Sequence, residues 1–202
     1  MRPLRHRPRC LADERGVAAV EFAILLLPMS ICLLGMLDAG YSMYVKSDLQ
    51  GALNDVARQA TVETPGFGGT GTVAQQIDAA LQSRMSKLVT GGTYTISKSS
   101  YYQFNNIGKP EKLITDVDGD GRYDFGDCFQ DINHNGTYDT NGTGYSGVGG
   151  ADDIVVYDVT LQVNRLLPMA SLIGLSAQQT VRVKTTVRNQ PFANQSSPPT
   201  VC

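Results

Sequence analysis

Residues 17 to 37 form an apolar run broken only by Glu21, Ser30 and small residues. At 1.5 Å per residue a helix over this run spans roughly 31 Å, which matches a bilayer core of about 30 Å. Beyond it, Leu37, Tyr41, Val45, Leu49, Leu53 and Ala57 recur every fourth residue, with Tyr44 and Val56 beside them and Lys46, Asp48, Asn54 and Arg58 opposite. That is an amphipathic helical stripe. Only Pro28 and scattered glycines interrupt the stretch from Phe22 to Ala60, so one helix approaching roughly 60 Å is expected, a transmembrane part over 17–37 and an amphipathic extension over 38–64. Pro28 removes one intrahelical hydrogen bond and reads equally as a tolerated transmembrane proline or as a bend.

Pro65 to Gly71 is a glycine-rich break, after which Val73, Ile77, Leu81, Met85 and Leu88 mark the face of a second, shorter helix. Thr93 to Tyr102, Ile154 to Val163 and Thr180 to Val187 are rich in β-formers and predict three strands as a minimum. The segment Leu166 to Ser176, with Pro168 and Gly174, joins the last two as a long apolar turn, and such a turn on an exported domain is either packed or used for contact. Residues 191–202, rich in proline and serine, read as a flexible tail. The expected architecture is an α+β head over 72–190 carried on a long helix, with a small antiparallel sheet and an Asp-rich loop insert at 116–142.

With 202 residues, 42% of them hydrophobic, the chain has room for one modest domain besides a membrane segment. Arg2, Arg5, Arg7, Arg9 and Arg15 make 1–16 a basic leader, which the positive-inside rule assigns to the cytoplasm, with the body outside. The apolar run leads straight into a helical pattern, which favours a signal anchor over a cleaved secretory signal. A single span with a periplasmic or extracellular body fits this layout. The net charge of -2 balances the Arg-rich leader against the acidic middle, and no basic patch in the body points to nucleic acid. Cys10 then faces the reducing cytoplasm and Cys32 the membrane, leaving Cys128 and Cys202 either as a disulfide or as two independent thiols.

The acidic middle has its own logic. From Asp116 the chain reads Asp-Val-Asp-Gly-Asp-Gly-Arg-Tyr-Asp-Phe-Gly-Asp, with carboxylates at loop positions 1, 3, 5, 9 and 12 and glycine at 6. That is calcium-loop spacing, because a hard cation takes six to eight oxygens near 2.4 Å and alternate residues of a tight loop point inward to supply them. Asp116, Asp118 and Asp120 are the expected direct ligands, Arg122 offers its carbonyl, Asp124 acts directly or through water, and Asp127 closes the loop with a shorter arm than Glu. Fifteen residues further on, Asp131, Asn133, Asn135, the Thr137 carbonyl and Asp139 repeat the pattern, but position 12 falls on Gly142. The second site is then open, or Asp152 or Asp153 folds back to close it. The bland alternative for both loops is a cluster of exposed Asn/Asp-Gly turns that binds nothing. No helices flank them in the pattern, so isolated, structural calcium loops are expected in place of a switching pair.

Nothing in the chain assembles a catalytic constellation. His6 and His134 are the only histidines, and no Gly-x-Ser-x-Gly, His-Glu-x-x-His or phosphate-cradling loop occurs. His134 with Cys128 is too small a set for zinc.

The octet Arg15-Gly-Val-Ala-Ala-Val-Glu-Phe, continued by Ala-Ile-Leu-Leu-Leu-Pro28 and followed by Gly35, Asp38, Gly40 and Tyr41, resembles the TadE-like pilus-assembly proteins, minor pilins or pseudopilins of bacterial tight-adherence (Tad, or Flp) systems. The resemblance covers roughly the first quarter of the chain and, more loosely, the last strands ending in Arg188-Asn-Gln-Pro-Phe. It implies a pilin-like fold, cleavage by a prepilin peptidase between Gly16 and Val17, and an assembly role for Glu21 beside Phe22, with other pilins and the Tad inner-membrane platform as partners. Glu21 is the only charge between Arg15 and Asp38. A carboxylate there is costly alone, and is neutralised by the free amine of a neighbouring subunit's new N-terminus, or else snorkels or is protonated. The alternative reading of the whole chain is a permanently anchored, calcium-dependent surface adhesin or binding module.

Overall fold

The structure, a computed structural model, describes residues 16–87, 89, 91–167, 174 and 176–202. The basic leader up to Arg15, Leu88 and most of the expected apolar turn (168–173 and 175) lie outside the described residues.

α1 runs unbroken from Val17 to Gln59 through Pro28, 43 residues or about 64 Å of helix. Its two halves behave as the pattern requires. Up to Leu37 the side chains are almost all exposed, and the 18-residue apolar window of highest hydropathy is 0% buried. From Val45 on, the four-residue stripe turns inward, and Val45, Leu49, Leu53, Val56 and Ala57 are fully buried. Arg58 in the last turn complements the helix dipole. α2 (Val73–Met85) starts at a capping box, in which the Thr72 hydroxyl accepts from Gln75 N while Gln75 Oε1 accepts from Thr72 N. It buries Ile77, Leu81 and Met85 against α1.

The three expected strands form the centre of an antiparallel sheet. β1 (Thr93–Tyr101), β5 (Ile154–Asn164) and β6 (Gln178–Arg188) are adjacent, and the two-residue β4 (Tyr145–Ser146) extends the β1 edge, giving the order β4-β1-β5-β6. Alternation sends Val155, Tyr157, Val159, Leu161 and Val163 toward the helices, where they join Val181 and Val183 of β6 in the main core. Head and helix are thus one two-layer body, with α1 lying along β6. The register between them is readable from three bonds: Ser42 Oγ donates to Gln179 Oε1, Gln50 Nε2 to the Lys184 carbonyl at 3.3 Å, and Gln190 N to the Thr61 carbonyl at 2.8 Å. β6 therefore climbs alongside α1 away from the apolar half.

On the opposite face, at the far end of the sheet, Tyr101, Ile132, Ile154 and Val156 make a second, smaller core. It is covered by the 102–150 insert, which with the C-terminal residues builds a second sheet absent from the sequence reading. β2 (Leu113–Thr115), β3 (Cys128–Gln130) and β7 (Thr200–Val201) pair in the order β2-β3-β7. The expected flexible tail is corrected by this: residues 191–202 run back across the head. Gln195 Nε2 donates to the Tyr102 carbonyl at 2.8 Å and to Asp153 Oδ1 at 2.9 Å, Asp131 N donates to the Pro199 carbonyl at 2.9 Å, and Cys202 is joined to Cys128. Proline and serine kept the tail out of helices without keeping it off the protein.

Candidate functional site

Two regions carry chemistry, one at each end of the molecule. At the start of α1, Gly16 is the N-cap residue and its carbonyl accepts from Ala19 N and Val20 N at 3.1 Å. Val17 is the first helical residue, so a cut after Gly16 would release a helix that begins at its own N-terminus. Glu21 and Phe22 lie one turn on, both exposed, and Glu21 makes no ion pair among the described residues.

At the other end, the Asp-rich loops flank β3, and they prove to be a structural repeat offset by fifteen residues. In the first, Asp116 Oδ1 and Oδ2 accept from Gly119 N (2.7 Å) and Gly121 N (2.9 Å), Asp118 Oδ1 from Asp120 N (3.1 Å), and Asp120 Oδ1 from Arg122 N (2.7 Å). In the second, Asp131 accepts from Asn135 N (3.2 Å) and Gly136 N (2.8 Å), Asn133 Oδ1 from Asn135 N (3.1 Å), and Asn135 Oδ1 from Thr137 N (2.7 Å). Positions 4 and 6 are left-handed in both loops: Gly119 and Gly121 at φ 76° and 75°, His134 and Gly136 at 60° and 72°. A histidine in that region is uncommon, and its explanation is that it fills the place of Gly119. Its ring is 5.0 Å from that of Tyr145 and has no part in a metal cluster among the described residues.

The repeat extends to position 8, where Tyr123 and Tyr138 stack at 4.6 Å with Phe129 edge-on to both at 5.2 and 5.5 Å. Phe129, fully buried, is the pivot about which the two loops are arranged. A sequence search for self-similarity would have found the Tyr pair.

The donor sets differ. In the first loop, carboxylate oxygens of Asp116, Asp118 and Asp120 lie within 4.8 Å of one another. Asp124 and Asp127 are outside that close trio, and Asp127 is buried with Oδ1 and Oδ2 accepting from Val117 N (2.9 Å) and Asp124 N (3.1 Å), which braces the loop's exit. Backbone donors, Gly121 N first, hold the Asp116 carboxyl below the usual range against a smaller opposing desolvation. Asp124 is pushed the other way, by desolvation and then by the charges of Asp118, Asp127, Asp120 and Asp116. The cluster is one of crowded anions held chiefly by backbone N–H donors, and a cation would relieve it.

In the second loop, Asp139 accepts from the side-chain amides of Asn133 and Asn135, so two amides stand where the first loop has carboxylates. Closure by Asp152 or Asp153 does not occur. Asp152 pairs with Arg188 at 2.8 Å, and Asp153 accepts from Gly150 N and Gln195. Gly142 serves packing: at φ 64°, a Cβ there would lie 2.4 Å from Lys109 N. The carboxylate that does reach the loop is Glu111, from outside it. Its oxygens accept from Ile132 N (2.7 Å) and Asp139 N (3.0 Å), it is 2% exposed, and desolvation, helped by Asp131 and Asp139, raises its carboxyl above the usual range despite those two bonds. Sequence reasoning missed Glu111 because it lies twenty residues upstream of the motif, although it is the only Glu after Glu63.

Comparison with known proteins bears on the first region alone. Residues 16–58 match the family model described as TadE-like protein. Over these residues the chain is similar to TadE-like proteins. The TadE-like match begins at the N-cap Gly16 and stops one residue short of the end of α1, so it takes in Glu21, Asp38 and the whole buried stripe of the helix while leaving the sheet and both loops unmatched. No curated protein and no solved structure matches the chain.

Proposed function

We propose that the chain is a membrane-anchored, non-enzymatic minor pilin or pseudopilin that takes part in assembling a Tad (Flp) pilus. The observation that carries this reading is the TadE-like α1: an exposed apolar half that starts at a Gly-Val junction with Glu21 one turn in, fused to a half that is core of the head. An apolar face over 17–37 on which none of the described residues packs has two compatible environments, a bilayer and a bundle of like helices, and a pilin uses both in turn. In this proposal a prepilin peptidase cuts after Gly16, the amine of Val17 on one subunit neutralises Glu21 on its neighbour, and that pairing selects one axial register. Other pilins and the Tad inner-membrane platform are the partners. The head is held by calcium in the first loop, where three carboxylates converge; the second loop, with its Asn side chains bonded to Asp139, is the weaker candidate.

N-terminal mass spectrometry on protein from prepilin-peptidase-positive cells tests the reading. A chain starting at Val17 is expected. An intact leader, together with unchanged pilus number in Glu21→Ala cells, would leave the anchored adhesin as the better account.

A further inference from the structure

The β5–β6 turn is the one apolar feature of the sequence that neither region uses. Its base is fixed in the structure. Arg165 N donates to the Ala177 carbonyl and Arg165 Nε to the Ser176 carbonyl, both at 2.9 Å, which closes the turn just beyond the last β5–β6 pair, Asn164 with Gln178. The same guanidinium reaches across to α1, with Nη1 2.7 Å from Asp38 Oδ2. Asp38 is the first charged residue after the apolar run, so the pair is largely shielded at the point where α1 would leave the hydrocarbon: the side chains are 15% and 22% exposed.

Direction follows from the register. Ser42 bonds to Gln179, Gln50 to Lys184 and Thr61 to Gln190, so moving backward along β6 is moving down α1 toward the apolar half. Arg165 and Ser176, the base of the turn, therefore stand on the side of the head nearer the membrane-spanning run. From Leu166 to Val181 the sequence contains no charged residue, and it includes Leu166, Leu167, Met169, Leu172, Ile173 and Leu175. Leu166, the first residue past the latch, is 55% exposed.

We propose that the base of the β5–β6 turn, held at Asp38 by Arg165, is a second membrane contact that seats Leu166 in the outer headgroup and upper acyl region beside α1. The occupant is a lipid surface, because the base of this uncharged turn is latched to Asp38, at the level where roughly 31 Å of apolar helix ends. An apolar segment without charge gains by entering the interface to a depth of about 5–10 Å. The arrangement would fix the head's height and orientation on the bilayer before extraction into a fibre. The inference rests on α1 being a membrane span.

The test uses the full chain with Cys10→Ser and Cys32→Ser, the Cys128–Cys202 disulfide intact, and one added cysteine labelled with an environment-sensitive maleimide. Leu26→Cys reports the span, Leu166→Cys the turn, and Thr140→Cys the far loops; all three sites are exposed on the protein. In vesicles of phosphatidylcholine with minor phosphatidylglycerol, a side chain about 5 Å into the interface should lose roughly half its emission to a spin label carried just below the headgroups. Leu166→Cys is expected to behave so, with Leu26→Cys quenched by a deep spin label and Thr140→Cys only by a soluble quencher. A Leu166 label as open to the soluble quencher as Thr140, with Leu26 still quenched in the bilayer, would overturn the proposal and leave the anchor intact. Loss of lipid quenching at Leu26 as well would overturn the anchor reading itself.

Discussion

Tyr157 offers the sharpest check on how the core is assembled. It stands mid-β5 on the helix-facing side, is 0% exposed, and its hydroxyl has no hydrogen-bond partner among the described residues. Burial pushes its phenol up from 10.0 to about 12. The native state therefore holds a proton that the unfolded chain releases above pH 10, so stability is fully present below pH 10 and falls as pH rises toward 12. By linkage this group alone removes about 1 kcal/mol by pH 11 and about 2 kcal/mol by pH 12, where the native phenol is itself half ionised. Tyr157→Phe deletes the hydroxyl while keeping the ring, and deleting a buried group that has no partner should raise stability by about 1 kcal/mol at pH 8. Guanidinium unfolding of the full chain in detergent micelles, followed by circular dichroism at pH 8 and pH 11, reads both effects. The gap in favour of Tyr157→Phe should widen by about 1 kcal/mol between the two pH values. A constant gap, or a variant weaker than the parent at pH 8, would show that the hydroxyl is paired or that the ring is not sealed, and the packing argument would fail.

Other perturbations address the far end. Cys202→Ser opens a crosslink spanning 74 residues of chain, and the chain-entropy relation gives a loss of about 4.5 kcal/mol; unfolding midpoints with and without the substitution check it, and a loss under about 1 kcal/mol would mean that the tail holds without the bond. Gly142→Ala introduces a Cβ 2.4 Å from Lys109 N at a left-handed φ, and should cost about 2 kcal/mol or more in the same assay. Calcium at about 100 times its dissociation constant should add about 2.7 kcal/mol relative to chelator, read as a rise in Tm, with Asp116→Asn and Asp120→Ala each removing the first loop's share. Equal Tm in calcium and chelator would end the calcium proposal.

The sequence disclosed whatever depended on periodicity. The stripe from Tyr41 to Ala57 is buried as read, and the three long strands begin and end within about two residues of the expected limits. The turns of the two Asp-rich segments follow from local Asp/Asn-Gly spacing, and left-handed glycines at position 6 have their signature in the motif itself. What escaped was non-local. β2, β3 and β7 are two or three residues each and exist because Cys128 and Cys202 are joined and Phe129 is buried edge-on against two stacked tyrosines, conditions set by chain segments far apart in sequence. Glu111 escaped for the same reason: its role is defined by Ile132 N and Asp139 N, which no spacing rule connects to it. The tail misled because composition reports what a segment cannot form by itself, whereas Gln195 and Cys202 are held by partners elsewhere.

The two chemical ends of the protein are also its mechanical ends. The Asp38–Arg165 latch sits where β5 ends, at Asn164, while the loops rest on the start of β5, where Ile154 pairs with Tyr101 and packs under Ile132. Eleven residues of β5 separate them by about 33 Å, with the rigid two-layer core of α1, α2 and the sheet between. Perturbations that far apart and without shared partners add within about 0.5 kcal/mol. Asp38→Ala, which strands the Arg165 guanidinium, and Gly142→Ala, which strains the second loop, should therefore sum in the double variant. Coupling of about 1 kcal/mol or more would mean that loop and latch communicate through the sheet, and calcium at the tip would then alter how the head sits on its anchor. Additivity would instead make the loops a local stabiliser of the end of the head far from the apolar half of α1.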